Sequence, residues 1–109
     1  MDYTLDQYLR KYHLGEENAA TSKELELTFD ISGKELRSLV NTLRQSGVPI
    51  ASSGSGYFYA ATEKEVRATI AHMTHRISGI SAAIRGLTNA LELFDTDQIR
   101  LTLDRGGGS

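Results

Sequence analysis

The chain has 109 residues, a formal net charge of −2 and no cysteine. This length fits one domain with at most a short appendage, and the absence of cysteine excludes disulfides, thiol chemistry and a cysteine-based zinc site. The apolar content of 39% and charged content of 24% are ordinary for a soluble globular protein. We find no membrane-length apolar run and no basic signal-peptide start, so we expect a cytoplasmic protein with no membrane partner. The slightly negative charge argues against strong non-specific binding to nucleic acid.

The first helix is predicted to start after Thr4, because Thr4 and Gln7 have the spacing of a capping box. Gly15 is placed to end this helix. Its apolar side chains recur at helical spacing: Leu5, Tyr8, Leu9 and Tyr12. A short polar linker, residues 16–20, follows.

Residues 21–47 predict two short helices joined by a tight turn. Thr21 with Glu24, and Ser32 with Glu35, each fit the capping box that satisfies free N–H groups in the first helical turn. Two helix starts this close together indicate a helix-turn-helix arrangement.

Asp30 is the residue expected to take the left-handed conformation between these helices, because its short polar side chain tolerates positive φ. The second helix, residues 33–46, has one apolar side: Leu36, Leu39, Val40 and Leu43. Its opposite side is polar and basic: Lys34, Arg37, Ser38, Asn41, Arg44 and Gln45. Such side chains contact phosphates and base edges in a major groove, and they also occur on ordinary solvated faces.

After Gly47 the pattern alternates, and residues 48–52 and 57–60 predict two strands around a small, flexible tip at residues 53–56. Pro49 is expected at an edge because it has no N–H to donate. A hairpin that follows a helix-turn-helix is a wing, suited to touching the DNA backbone or minor groove.

Residues 21–48 resemble the helix-turn-helix of the biotin operon repressor family and its winged-helix relatives. The resemblance covers roughly residues 1–60. The residues that carry the resemblance are Leu25, Phe29, Ile31, Ser32, Leu36, Val40, Leu43, Arg44, Gly47 and Val48, followed downstream by Gly56 and Tyr57. It departs from the family at Asp30, often Gly there, and at Glu35, an acid in the recognition helix. The resemblance implies a winged helix-turn-helix domain that binds DNA.

The longest helix is predicted from a capping box at Thr62 and Glu65. Its apolar residues alternate in steps of four and three, a heptad pattern: Val66, Ile70, Met73, Ile77, Ile80, Ile84, Leu87, Leu91 and Phe94. A helix over residues 63–94 is about 48 Å long, more than a small winged domain can cover. The pattern therefore predicts pairing between copies, with parallel, antiparallel and four-helix arrangements all open.

His72 and His75 are three residues apart, a spacing that can hold a metal, but no third ligand lies nearby in the sequence. We interpret them as surface residues and expect no metal and no cofactor. No nucleophile–base pattern is visible, so we expect no enzyme activity.

The apolar residues within 95–105 alternate with polar ones and suggest a strand or extended tail. Residues 106–109 resemble a flexible linker.

The sequence thus predicts a mainly α protein with a small β-hairpin wing: a winged helix-turn-helix domain at residues 1–61, an oligomerisation helix at 62–95 and a tail at 96–109. The leading interpretation is a homodimeric regulator of transcription, of bacterial or phage type, that binds pseudo-palindromic double-stranded DNA. Its expected DNA contacts are Ser32, Lys34, Arg37, Ser38, Asn41, Arg44, Gln45, Ser55 and Tyr57. Among them Arg37 and Asn41 would meet base edges, while Lys34, Ser38 and Arg44 would hold phosphates. The alternative is a winged-helix adaptor or inhibitor that binds another protein through the long helix.

Overall fold

The computed structural model describes residues 3–101, with side chains described for residues 3–94. The elements in order are α1 (Leu5–Tyr12), a 3-10 turn (Glu16–Asn18), α2 (Ser22–Phe29), α3 (Gly33–Gln45), β1 (Ile50–Ser53), β2 (Gly56–Tyr59) and α4 (Glu63–Leu101). The predicted coarse architecture is confirmed: mainly helical, with one antiparallel hairpin and a long C-terminal helix. The chain divides into two compact units, Met1–His72 and Met73–Ser109.

The two helices of the central pair begin at the predicted capping boxes. Glu24 Oε1 accepts a hydrogen bond from the Thr21 N–H at 2.8 Å, and Thr21 Oγ1 accepts one from the Glu24 N–H at 3.1 Å. Ser32 and Glu35 repeat this exchange at 2.8 and 3.1 Å. Asp30 takes the predicted left-handed conformation, with φ 54° and ψ 52°, so α2 stops at Phe29.

The end of α1 differs from the prediction. The helix stops at Tyr12, and Gly15 lies beyond it with φ 84°, where it opens the 3-10 turn. The His13 N–H still donates to Leu9 O at 2.8 Å, so the last turn closes without a glycine cap. Gly15 instead turns the chain toward β2, and its N–H donates to Tyr59 O at 2.9 Å.

The core of the first unit lies where α1, α2, α3 and β1 meet. Its largest fully buried side chains are Leu9, Leu25, Leu36 and Val40. Phe58 on β2 is also fully buried but lies outside this cluster. Tyr8, Phe29, Leu43 and Tyr57 pack around the core cluster and remain partly buried. One side of each short helix is therefore used for packing, and the opposite sides are left for solvent or partners.

The hairpin pairs Ile50 with Tyr59 and Ser53 with Gly56, leaving a two-residue loop at residues 54–55. The strands differ from the predicted ranges by up to two residues, and Pro49 precedes β1. The linker between α1 and α2 extends the sheet, because Ala20 forms an antiparallel bridge with Tyr57. The sequence did not reveal this pairing across more than thirty residues of chain.

Gly56 is required by the close approach of the hairpin to this linker. Its φ is 127°, and a Cβ there would lie 2.7 Å from the Ala20 carbonyl carbon and 3.1 Å from Thr21 Cα. Both neighbours are backbone atoms and cannot rotate away. Only glycine fits this position without moving the strand from the linker.

Helix α4 continues through residues 95–101, so the predicted strand or extended tail is wrong for that stretch. The alternating apolar residues there also fit a helix, since Leu101 follows Phe94 at the same seven-residue spacing as the heptads before it. The rest of the predicted tail and the glycine-rich end, residues 102–109, lie outside the described residues. Within residues 3–101, no helix combines the length and apolar content needed to cross a bilayer.

A Gly56→Ala substitution should lower the free energy of unfolding by about 3 kcal/mol, because it combines an unfavourable φ with a backbone clash. Gly54→Ala is the matched control, since Gly54 lies in the adjacent loop and has open space around its Cβ position. Urea unfolding followed by circular dichroism measures both variants. Equal stability of the two would contradict the close approach of Gly56 to Ala20.

Candidate nucleic-acid interface

One face of α3 is exposed and carries most of the residues that the sequence singled out. Leu36 and Val40 are buried on the opposite face and hold the helix against the core. The exposed face brings together Lys34, Arg37, Ser38, Asn41 and Gln45. Because residues three and four apart share a helix face, these side chains form a polar strip along the helix.

Arg44 is oriented differently from the other predicted contacts. Its Nε donates to Ile50 O at 2.7 Å and its Nη2 donates to Ser52 Oγ at 3.1 Å, both on β1. The guanidinium is partly buried by this arrangement. Arg44 therefore fastens the hairpin to α3. Its expected contact with phosphate stays a prediction.

Ser32 and Glu35 at the start of α3 serve as caps. The Ser32 hydroxyl accepts the Glu35 N–H, and the Glu35 carboxylate accepts the Ser32 N–H. This exchange explains why an acid occurs in the expected recognition helix: it satisfies the helix start. The Ser32 hydroxyl is correspondingly engaged within the protein.

The charge on the exposed strip is modest because a carboxylate of α2 lies beside it. A Cβ built on Gly33 would be 3.2 Å from Glu26 Oε2 and 3.4 Å from Arg37 Nη1, so both groups flank the start of α3. Glu26 also accepts a hydrogen bond from the Ser22 hydroxyl at 2.8 Å. Lys34 and Arg37 are the outward-facing cations of α3, with Glu26 next to one of them.

The hairpin tip is small and uncharged. Ser55 is exposed, and its N–H donates to Ser53 Oγ at 3.1 Å. Tyr57 is partly buried against the core, and its N–H donates to Ala20 O at 2.8 Å. Ser55 is thus free to contact a partner, whereas Tyr57 supports the hairpin from behind.

A residue that the sequence did not single out for this region is Thr69, on the first turns of α4. It is 5% exposed, and its Oγ1 accepts a hydrogen bond from the Ser52 N–H at 3.1 Å. The sequence offers only a weak indication that Thr69 is buried: it lies beside a heptad position, where surface residues are also common. Its burial depends on the hairpin and could not be seen in the helical pattern.

The heptad side chains have different surroundings along α4. Val66 and Met73 are partly buried. The other seven are between 55% and 71% exposed: Ile70, Ile77, Ile80, Ile84, Leu87, Leu91 and Phe94. Such a row of exposed large apolar side chains is unusual for an isolated helix in water.

His72 and His75 are both exposed on α4. Within residues 3–101, no three potential ligands among His, Asp and Glu are grouped closely enough to hold a metal ion.

Comparison with family models, with curated proteins and with solved structures finds no match.

Glu65 joins the start of α4 to the linker after α1. One carboxylate oxygen accepts the Glu16 N–H at 3.0 Å, and the other accepts the Ala61 N–H at 2.6 Å. These two backbone donors hold the pKa of Glu65 below its ordinary value of 4.5. Because the folded pKa is depressed, the stabilisation is complete above 4.5 and is lost as pH falls through the lower folded value.

Glu65→Gln should therefore lower the melting temperature at neutral pH and reduce the further loss of stability on acidification below the unfolded pKa. Glu17→Gln is the control, because Glu17 is an exposed carboxylate on the neighbouring 3-10 turn with no hydrogen bond among those described. Melting curves over a series of pH values measure the effect. If Glu65→Gln and Glu17→Gln have the same pH dependence, the carboxylate does not hold this junction.

Proposed function

We propose that this protein is a homodimeric regulator that binds double-stranded DNA through a winged helix-turn-helix domain. Helix α3 would enter the major groove, and the hairpin would act as the wing. The observation that carries the proposal is the exposed polar face of α3 on a helix held rigidly by capping, core packing and Arg44. The resemblance of residues 21–48 to the biotin operon repressor family also supports the proposal.

The proposed contacts follow from position on the exposed face. Arg37 and Asn41 are one helical turn apart, and their side chains are suited to guanine and adenine edges respectively. Lys34 and Ser38 would contact phosphates, with Gln45 near the far end of the helix. Ser55 at the hairpin tip would contact the backbone through its hydroxyl.

The small number of outward cations sets the expected binding regime. Each phosphate neutralised by a cation contributes to the salt dependence of affinity. With Lys34 and Arg37 as the outward cations of α3, and Glu26 beside Arg37, non-specific affinity should be modest. Specific contacts and a second copy would then supply much of the affinity.

The second copy would pair through the heptad side chains of α4 that lie between residues 66 and 94. Seven large apolar side chains, each 55–71% exposed, offer area on the scale of the about 800 Å² per partner that stable interfaces bury. A two-fold dimer would bind a pseudo-palindrome with half-sites about 34 Å apart, or a multiple of that distance. Such pairing would remove the apolar row from water.

The second candidate is a winged-helix module that binds another protein. It is favoured by Leu27, which is 83% exposed on α2, and by Glu26 beside the α3 face. The net charge of −2 also agrees with a protein partner. Under this alternative, the long helix is the main binding surface and α3 contacts no DNA.

The double substitution Arg37→Ala/Asn41→Ala should weaken binding to a selected DNA duplex by about thirtyfold or more, because each of the two lost base contacts costs roughly 1–3 kcal/mol. Fluorescence anisotropy over a range of salt concentrations measures the affinity for random duplexes and for duplexes selected from a random library. The two sets of duplexes give the non-specific and the specific affinity. The salt dependence should also become shallower with the loss of one cation.

Arg85→Ala/Asn89→Ala is the matched control, since it removes the same two residue types at the same spacing from an exposed part of α4. This control should bind DNA like the wild type. Absence of wild-type binding even at low salt would reject the DNA function and favour the protein-binding alternative.

Ile77→Glu/Ile84→Glu should convert the dimer to a monomer, because it places charges at the centre of the proposed interface. Sedimentation velocity measures the mass, and circular dichroism follows the first unit. Ala82→Glu/Asn89→Glu adds the same charges at the same spacing on the outer side of α4 and should remain dimeric. A monomeric wild type at high concentration would contradict pairing through α4.

A further inference from the structure

The outer edge of β1 is closed by side chains from two different helices. Arg44 of α3 donates from Nε to Ile50 O at 2.7 Å. Thr69 of α4 accepts the Ser52 N–H at 3.1 Å. Within residues 3–101 no strand lies beside β1 on this side, so these side chains take the place of one.

Thr69 is suited to this role by burial and by its own hydrogen bonds. Its side chain is 5% exposed, and among the described residues it is the polar residue that is buried. Its Oγ1 lies 3.1 Å from Glu65 O, to which the hydroxyl can donate, while accepting from the Ser52 N–H. A valine would fill the same volume and leave the Ser52 N–H without its acceptor.

Ser52 connects the two helices because each binds a different part of it. Its backbone N–H is held by Thr69, and its Oγ is held by Arg44 Nη2 at 3.1 Å. Helix α3, strand β1 and residues 63–72 of α4 are thus linked through one residue. All of these groups belong to the first compact unit.

We propose that Thr69 is a positioning residue that fixes the recognition helix and the wing against the first turns of α4. The proposal rests on the DNA-binding function proposed above. The proposed pairing surface includes Val66 and Ile70 on these first turns. In a dimer, the angle between α3 and residues 63–72 of α4 would therefore contribute to the distance between the two recognition helices. The Thr69–Ser52–Arg44 bridge would therefore determine which half-site spacing the protein accepts.

The test compares Thr69→Val, Thr69→Ser and Thr88→Val in the full chain. Thr88 is the matched control because its hydroxyl donates to Ile84 O at 2.8 Å, the same intrahelical bond, but it is exposed and far from any strand in sequence. Two duplexes are used: a palindrome selected from a random library by the wild type, and the same palindrome with one central base pair inserted.

The wild type, Thr69→Ser and Thr88→Val should prefer the selected duplex to the inserted one. Thr69→Val should lose about tenfold in affinity for the selected duplex, the equivalent of one buried hydrogen bond, and little for the inserted one. Its preference for spacing should largely disappear while sedimentation still gives a dimer. A folded Thr69→Val protein that keeps the wild-type preference overturns the proposal.

A second variant approaches the bridge from the other side and guards against misfolding of Thr69→Val. Ser52→Ala removes the contact with Arg44 and leaves the Thr69 bond to the backbone, and it should reduce the spacing preference in the same way. If Ser52→Ala folds and keeps the preference, the bridge has no positioning role.

Failure of the inference can be told from failure of the function on which it rests. If the wild type binds no duplex at all, the proposed function fails and the role of Thr69 in DNA binding fails with it. If the wild type binds with a spacing preference that both variants share, only the inference is overturned. Amide exchange in the free protein adds a direct check, since the Ser52 N–H should exchange faster in Thr69→Val than in Thr88→Val.

Discussion

The hydrogen bonds at the two edges of the short hairpin hold the first unit together. A two-stranded hairpin is barely stable alone, and its open edges carry unpaired N–H and C=O groups. The edge of β2 is closed by the linker after α1, through the paired backbones of Ala20 and Tyr57. The edge of β1 is closed by Arg44 and Thr69. The hairpin thereby joins the chain before α2 to the helices after it.

This arrangement divides the surface of α3 into three parts with separate tasks. One side is buried through Leu36 and Val40, a second holds β1 through Arg44, and the third is exposed. Its first turn is occupied by its own cap. The exposed part has few cations because Arg44 is bound to β1, while Glu35 caps the helix and Glu26 lies beside its start. If α3 binds DNA as proposed, the electrostatic contribution of this face would therefore be weak.

Helix α4 also has two parts with different surroundings. Residues 63–72 belong to the first unit, where Thr69 is buried and Glu65 holds the linker. The large apolar side chains at heptad spacing are exposed at Ile70 and again from Ile77 onward. Water contact with such a row is unfavourable, and its regular spacing suits another helix. Gly79 and Gly86 weaken this part of the helix, so pairing would also stabilise its helical form.

Features that depend on neighbours a few residues away could be predicted from the amino-acid sequence. Capping boxes at Thr21 and Ser32, the left-handed Asp30, the hairpin and the heptads are local patterns, and the structure contains each of them. The inward orientation of Arg44 and the burial of Thr69 arise from contacts that form only in the folded chain. Both depend on contacts with β1. This strand begins six residues after Arg44 and ends sixteen residues before Thr69. A helical pattern identifies the face of a polar side chain, but a partner distant in sequence decides whether that face meets solvent or a strand.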